Sequence, residues 1–375
     1  MALVFLALAL GAAFLLEKRL YRRRAFRNLS YRCYFSVSEA FEGDEIELVE
    51  ELENRKLLPL PWLRSDFTTS RFLEFAQTRS VITGKDRYVV SFFLLKSYQK
   101  VVRRWKVRCL QRGIFTIDKV SLVATDLLGG CVLSRNVAAD ASVTVLPDPT
   151  LFEETEYHLR HLTGDVNVRQ RLISDPFTVA GSREYTPSDP LRLMDWPATA
   201  RTGQLMIREC AFTTNPSLTV LLNVQSRPYE REIAVDEDAV EDAVRVCSGL
   251  LSDTLRENLP VAFGCNAALP GGEEGAALPP DFGHAHIRRI LGVLSALPLK
   301  RREDFLPWLA QALAGSDSSD IIVVTAYLPP EAAELASSRP GLRFLVTGRE
   351  HPAPGPEAVW LYPFFQERRE GGKTA

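Results

Sequence analysis

The densest cluster of chemically active side chains in the sequence lies between Gly181 and Glu209. Its candidate site residues, called the signature below, are Arg183, Glu184, Tyr185, Asp189, Arg192, Asp195, Trp196, Arg201, Arg208 and Glu209. Arginine and carboxylate side chains form bidentate pairs that hold loops in one geometry. Tryptophan buries a large face and carries one N–H donor. The signature is therefore predicted to lock two domains together or to dock a partner protein.

A catalytic interpretation of the signature would need an activated group. No nucleophile with a histidine base is visible in it, and the chain has neither G-x-S-x-G nor G-x-G-x-x-G. We therefore predict no catalytic residues and no cofactor. The alternative, a hydrolase or transferase, would use Glu184, Asp189 or Asp195 in a pocket that raises the pKa of a carboxylate.

Histidine and cysteine spacings offer weaker signals for a metal site. His158 and His161 with Asp165, and His284 with His286, have ligand-like spacing but lack a third ligand in the same pattern. We interpret the first set as a solvated helix face and the second as an equally weak signal. The six cysteines contain no C-x-x-C pair, which predicts free, buried thiols in a reducing cytoplasm.

Composition places the chain among globular proteins. The chain is 46% hydrophobic and 25% charged, which is ordinary for a globular protein. Its length of 375 residues predicts two or three domains. The 45 Lys plus Arg against 47 Asp plus Glu leave a formal charge of -2. Nucleic-acid binding requires clustered basic residues, so this balance argues against it.

The N-terminus departs from this average. Residues 2–16 are apolar, and a basic cluster, Arg22 to Arg24 among them, follows directly. The run is short for a bilayer, but Leu20 and Tyr21 could extend it. We expect residues 1–28 to be an uncleaved single-pass membrane anchor and its basic collar, with the rest of the chain in the cytoplasm.

The remaining sequence divides into regions that differ in the periodicity of their apolar residues. Residues 29–150 show short runs with alternating polarity, which predicts an antiparallel β-sandwich-like domain. Residues 217–366 alternate apolar strands with helical patterns, including a helix from about Asp236 to Asn258, and predict a doubly wound α/β domain. Residues 151–216 form a linker that carries the signature. Leu269 to Gly283 is predicted to be a loop, and residues 367–375 a disordered tail.

The signature resembles that of bacterial membrane proteins grouped as domain of unknown function family 58. The family pattern runs roughly R-E-Y-x-x-G-D-x-x-R-x-I-x-W-x-x-x-A-R-x-x-x-L-x-x-R-E, and this chain departs from it at Ser188, Met194 and Pro197. The resemblance implies a membrane anchor, a β-rich region and then a von Willebrand A-like α/β domain. Family members usually start with two transmembrane helices, whereas this chain offers one short segment.

The resemblance also implies a metal site, which this sequence does not preserve. Von Willebrand A domains bind Mg²⁺ through D-x-S-x-S after the first strand. The aligned ligand positions here hold Asn223, Gln225 and Arg227, and Thr325, Ala326 and Tyr327 stand where a later Asp is expected. An amide replaces the carboxylate and a guanidinium would repel the ion. We therefore predict a degenerate site without metal.

The partner implied by the resemblance is a MoxR-type AAA+ ATPase. The leading hypothesis is a membrane-anchored, non-enzymatic adaptor whose cytoplasmic domains mediate protein–protein interaction in complex assembly or remodelling. A purely structural cell-envelope protein and the enzyme described above remain alternatives.

Overall fold

The computed structural model describes residues 2–76, 80–126, 129–149, 179–185, 194–210, 217–257, 259–269, 277–316, 320–339, 341–350, 358–363 and 365–366. The chain forms two compact units, Met1–Asp148 and Pro149–Ala375, called the β unit and the α/β unit below. Sheets and helices are both present, which confirms the predicted mixed fold. The predicted tail, most of the linker, and His158, His161 and Asp165 lie outside the described residues.

The β unit contains one helix and ten described strands. These are α1 (Ala2–Arg24), β1 (Leu29–Phe35), β2 (Glu39–Phe41), β3 (Glu45–Asn54), β4 (Leu60–Ser70), β5 (Leu73–Phe75), β6 (Ser80–Thr83), β7 (Asp86–Leu95), β8 (Lys100–Cys109), β9 (Gly113–Thr125) and β10 (Val132–Leu146). One sheet has the order β1-β3-β8-β5 and the other the order β2-β10-β9-β4-β7-β6. Apart from the parallel pair β2 and β10, neighbouring strands are antiparallel. Apolar side chains of both sheets form one buried cluster, so the two sheets enclose a common core.

An inward-facing glutamate interrupts this apolar core. Strand β3 buries alternate residues, and Glu50 occupies one of the inward positions with no exposed surface. Its carboxylate accepts hydrogen bonds from Tyr31 Oη at 2.9 Å and Trp105 Nε1 at 2.7 Å in its own sheet. It also accepts from Ser65 Oγ at 2.7 Å and Ser91 Oγ at 3.0 Å in the facing sheet. Glu50 therefore connects the two sheets by hydrogen bonds.

The described cysteine side chains are free and buried, as the sequence predicted. They are Cys33, Cys109, Cys131, Cys247 and Cys265. Burial, followed by the charge of Glu50, raises the pKa of the Cys33 thiol to about 12. Burial raises the pKa of Cys109 and of Cys265 to about 11. A protonated, inaccessible thiol is a poor nucleophile, so these side chains are packing groups.

The C-terminal end of helix α1 packs against the sheets of the β unit. Tyr21 and Ala25 are buried in its core, and Tyr21 Oη donates to the carbonyl oxygen of Thr125 at 2.8 Å. The prediction that Tyr21 extends the apolar segment toward a membrane is therefore wrong, because its phenol packs in the protein core. Among the residues described, we find no helix with the length and apolar character needed to cross a bilayer.

The α/β unit begins with a two-stranded hairpin and continues as a six-stranded sheet with helices. The hairpin comprises β11 (Val179–Glu184), α2 (Trp196–Thr202) and β12 (Met206–Cys210). The other elements are β13 (Leu218–Leu222), α3 (Glu237–Glu257), β14 (Val261–Cys265), β15 (Ala277–Asp281), α4 (His284–Ala296), α5 (Phe305–Ala314), β16 (Asp320–Thr325), α6 (Pro330–Ser338), β17 (Leu342–Val346) and β18 (Ala358–Trp360). The sheet order is β15-β14-β13-β16-β17-β18.

All strands of this sheet are parallel except the edge strand β15. Every residue of the central strand β13 is buried, as expected for a strand covered on both faces. Strand β15 lies inside the predicted loop Leu269 to Gly283, so that part of the prediction is wrong. The two prolines in β15 obscured it in the sequence, and they are tolerated because an edge strand needs fewer backbone donors.

Candidate functional site

The hairpin brings the two ends of the signature together. Strands β11 and β12 pair antiparallel, with Arg183 opposite Ile207 and Glu184 opposite Met206. The backbone N–H of Tyr185 donates to the carbonyl oxygen of Leu205 at 2.9 Å and continues the pairing. In the same register, Arg208 and Glu209 lie opposite Ser182 and Gly181. Asp189 and Arg192 lie outside the described residues.

Helix α2 explains several signature positions. Asp195 is its N-cap, and Asp195 Oδ1 accepts from the backbone N–H of Ala198 at 3.1 Å. Gly203 ends the helix in the left-handed conformation with φ of 75°. Such caps satisfy backbone groups that a short helix leaves unpaired. Trp196 and Arg201 are solvent-exposed, with 66% of Trp196 accessible. Asp195 therefore has a structural role, and Trp196 is available for contact.

The positions aligned with a metal site lie at the carboxyl end of strand β13. Asn223 is fully buried, and its Oδ1 accepts from Asn266 Nδ2 at 2.7 Å and from the Gln225 backbone N–H at 3.0 Å. Asn223 Nδ2 donates to Thr325 Oγ1 at 2.9 Å. Because Asn266 follows β14 and Thr325 ends β16, these side chains, with Gln225, join three neighbouring strands. We call them the amide cluster.

The side chains of Gln225 and Arg227 have different surroundings at this edge of the sheet. Gln225 Oε1 accepts from the backbone N–H of Phe305 at 3.0 Å, and Gln225 Nε2 donates to the carbonyl oxygen of Arg227 at 3.0 Å. The side chain of Arg227 is exposed to solvent. The structure therefore brings Asn223 and Gln225 into one network and leaves the Arg227 guanidinium outside it.

A second network holds the loop of residues 226–236, called the 226–236 loop below. Ser226 Oγ donates to Glu230 Oε2 at 2.6 Å, and the Ser226 backbone N–H donates to Glu230 Oε1 at 2.7 Å. The backbone N–H groups of Val235 and Asp236 donate to Ser226 Oγ at 3.0 and 2.9 Å. Both Ser226 and Glu230 are buried. These bonds close the two ends of the loop on each other.

Arg301 supports the same loop from the neighbouring segment. Its Nη2 donates to the carbonyl oxygen of Glu230 at 2.6 Å, its Nε donates to that of Arg231 at 3.2 Å, and its Nη1 pairs with Asp304. Burial, followed by the charge of Glu230, raises the pKa of the nearby Tyr327 phenol to about 12, although Arg301 opposes the shift. Tyr327 is therefore a neutral phenol at physiological pH.

The 226–236 loop presents apolar side chains to solvent. Tyr229 is fully exposed and has a φ of 61°, an unusual backbone conformation for a residue other than glycine. Ile233 and Val235 are also exposed. A rigid loop that displays an aromatic and two aliphatic side chains has the character of a protein contact surface.

Sequence reasoning missed parts of both networks. It did not identify Asn266 in the amide cluster, or Glu230 and Arg301 at the 226–236 loop. Asn266 follows a predicted buried strand, and polar residues that follow parallel strands meet at one edge of the sheet, so that signal was present. Nothing in the sequence near Arg301 indicates that it would reach Glu230, which is 71 residues away.

The other predicted metal-like spacing has a structural explanation. His286 is buried in helix α4, and its Nε2 lies 2.8 Å from the carbonyl oxygen of Val261. His286 is therefore a buried packing group of the helix. Within the described ranges, no group of three or more His, Cys, Asp or Glu side chains is placed to hold a metal ion.

Two of the solved structures similar to this chain are distant likenesses. A non-cellulosomal cohesin from Archaeoglobus fulgidus is 14% identical, with a TM-score of 0.24, and the match covers 36% of this chain and 99% of the cohesin. Domains D2 and D3 of the major pilin SpaD from Corynebacterium diphtheriae are 9% identical, with a TM-score of 0.22, over 29% of this chain and 50% of that chain.

Sequence comparison provides a closer relationship. The uncharacterized protein YeaD of Bacillus subtilis is 24% identical over 248 residues, which are 64% of this chain and 58% of YeaD. The chain thus matches little more than half the length of this relative. Residues 181–337, which carry the signature hairpin, the amide cluster and the 226–236 loop, match the family described as protein of unknown function DUF58.

Proposed function

We propose that this protein is a non-enzymatic adaptor that binds a partner protein through the 226–236 loop. The observation that carries the proposal is the exposure of Tyr229 on a loop closed by buried hydrogen bonds. A preorganised loop loses little conformational entropy on binding. The free energy gained by burying its exposed aromatic side chain against a partner is therefore only slightly offset. The signature hairpin, with exposed Trp196, is a second contact region.

We interpret the α/β unit as von Willebrand A-like with a degenerate metal site. The parallel strands, the flanking helices and the position of Asn223 after the central strand support this interpretation. The amide of Asn223 already has donors and acceptors around it, and no carboxylate stands at its position to attract a cation. We expect this edge of the sheet to act through protein contacts without a bound metal ion.

The expected partner is a MoxR-type AAA+ ATPase, as the family resemblance implies. We expect the purified full chain to bind a MoxR-type AAA+ ATPase from the same organism, and Tyr229→Asn to weaken the affinity at least about tenfold. Asparagine tolerates a positive φ, so this substitution removes the ring and leaves the loop geometry intact. Biolayer interferometry with ATP, ADP and no nucleotide measures the affinity.

The matched control is Tyr98→Asn in the β unit. Tyr98 is 71% exposed and also has a positive φ, of 53°. We expect this variant to bind like the original chain. Absence of binding in every nucleotide state would reject the ATPase partner, whereas equal affinity for the Tyr229 and Tyr98 variants would reject the 226–236 loop as the contact surface.

We also propose that the N-terminal segment attaches the protein to the cell membrane, with both units in the cytoplasm. Phe5, Leu8, Leu15 and Leu16 expose their side chains on α1, and exposed arginines follow at its end. We expect the chain to sediment with membranes and to be released by detergent. Replacing Phe5 and Leu8 by glutamate should move it to the soluble fraction, because charged groups enter the apolar layer at high cost.

The control for this fractionation is Leu94→Glu, which alters an exposed apolar residue of the β unit. That variant should remain with the membranes. A C-terminal reporter tests the orientation, with activity expected in the cytoplasm. Recovery of the original chain in the soluble fraction would contradict the attachment.

A further inference from the structure

Helix α1 and the segment after strand β9 enclose a small acidic site within the β unit. Two contacts fix their relative position. Tyr21 Oη donates to the carbonyl oxygen of Thr125, and the Phe14 ring lies so close to Gly130 that an added Cβ there would be 2.8 Å from Phe14 Cζ. Glu17 lies between Phe14 and Tyr21 on the same face of the helix, three residues from one and four from the other. Its carboxylate therefore faces the segment that contains Asp126.

Both carboxylates in this site are buried without partners. Asp126 has no exposed surface, and within the described residues neither of its carboxylate oxygens has a hydrogen-bond partner. The same is true of Glu17 Oε1 and Oε2. Both groups interact electrostatically with the phenol of Tyr21, which places them around one side chain. Four buried carboxylate oxygens around the Tyr21 phenol thus lack a hydrogen-bond donor among the described residues.

Bound positive charge stabilises such an arrangement. Two buried carboxylates repel each other, and each has lost the hydration that stabilises its charge in water. Among the basic side chains of α1, Arg19, Arg22, Arg23 and Arg24 are exposed to solvent. Half-buried Lys18 is the neighbour of Glu17 in sequence, but it makes no hydrogen bond to Glu17 or Asp126. A small cation can enter where a long basic side chain does not, and carboxylate oxygens are the ligands that hard divalent cations prefer.

We propose that Glu17 and Asp126 bind a hard divalent cation, Mg²⁺ or Ca²⁺, which fastens helix α1 to the β unit. Two carboxylates are sufficient for a site whose remaining ligands are backbone carbonyl oxygens and water. Gly130 belongs to the site because a Cβ at this position would lie 3.6 Å from Asp126 Oδ2 and would press on the Phe14 ring. This site is separate from the degenerate metal-site positions in the α/β unit.

The test is calorimetric titration of the purified, chelator-treated full chain with MgCl2 and, separately, with CaCl2. We expect one saturable site and a Tm that rises with the concentration of the preferred ion, because binding to the folded state alone stabilises it. Asp126→Asn and Glu17→Gln keep the side-chain shapes and should each weaken the affinity more than about tenfold. Glu74→Gln, which changes an exposed carboxylate on strand β5, should bind like the original chain.

Circular dichroism of each variant separates loss of the site from loss of the fold. Folded Asp126→Asn and Glu17→Gln proteins that no longer bind the ion would support the proposal. Two results would overturn it: a folded original chain that binds neither ion at millimolar concentration, or unchanged binding in both variants. Binding that disappears equally in Glu74→Gln would also overturn it, since the ion would then respond only to net charge.

Discussion

Replacing Glu50 with alanine is expected to lower the free energy of unfolding of the β unit by about 3–5 kcal/mol. The substitution leaves four donors without their acceptor: the buried hydroxyls of Tyr31, Ser65 and Ser91 and the half-buried indole N–H of Trp105. It also opens a cavity between the two sheets, both of which donate hydrogen bonds to Glu50 in the original chain. Hydrogen exchange of the full chain, followed in peptides from strands β3 and β8, measures the loss within this unit.

The matched control is Glu47→Ala on the same strand. The Glu47 side chain is 40% exposed and pairs with Arg104 across the surface at 3.0 Å, an interaction worth at most about 1 kcal/mol. A loss at Glu50 no greater than the loss at Glu47 would show that the buried hydrogen bonds do not hold the sheets together. Glu50→Gln adds a further comparison. It keeps the shape of the side chain but replaces one acceptor oxygen with an amide NH2 group, which then faces other hydrogen-bond donors.

Replacing Asn223 with alanine is expected to destabilise the α/β unit by about 2–4 kcal/mol. The change removes the acceptor of Asn266 Nδ2 and of the Gln225 backbone N–H, and it removes the donor to Thr325 Oγ1. These groups lie at the carboxyl ends of three adjacent strands, so their loss loosens the edge that carries the 226–236 loop. Exchange of backbone amides in β13, β14 and β16 should accelerate together.

Gln311→Ala is the control, because Gln311 is an exposed amide on helix α5. It should change the stability by no more than about 0.5 kcal/mol. If Asn223→Ala leaves exchange in the three strands unchanged, the amide cluster is not the element that stabilises this edge. A loss of stability confined to β13 would limit its effect to one strand.

Much of the architecture followed from local patterns. The alternating polarity between residues 29 and 150 predicted strands, and the helix expected from about Asp236 to Asn258 is present as Glu237–Glu257. Prediction failed where an element depends on its position in a sheet. Strand β15 was missed because Pro279 and Pro280 argue against a strand, although an edge position makes them tolerable.

The site was predictable in part. Asn223, Gln225 and Arg227 were identified by their positions in a family pattern, and the structure shows that the first two share a network while Arg227 faces solvent. Glu50 could not be found in this way. It is one of five glutamates in strand β3, and only the direction of its side chain distinguishes it from Glu51.

The residue sequence was sufficient for the mixed fold, the free thiols, and the order of β-rich and α/β regions. Each of these depends on residue type or on neighbours within a few positions. Only the folded chain decides which polar groups meet. Trp105 reaches Glu50 across 55 residues, and Thr325 reaches Asn223 across 102, so these contacts depend on strand order and register. For the same reason, the Glu17 and Asp126 site appears only when helix α1 lies against the end of strand β9.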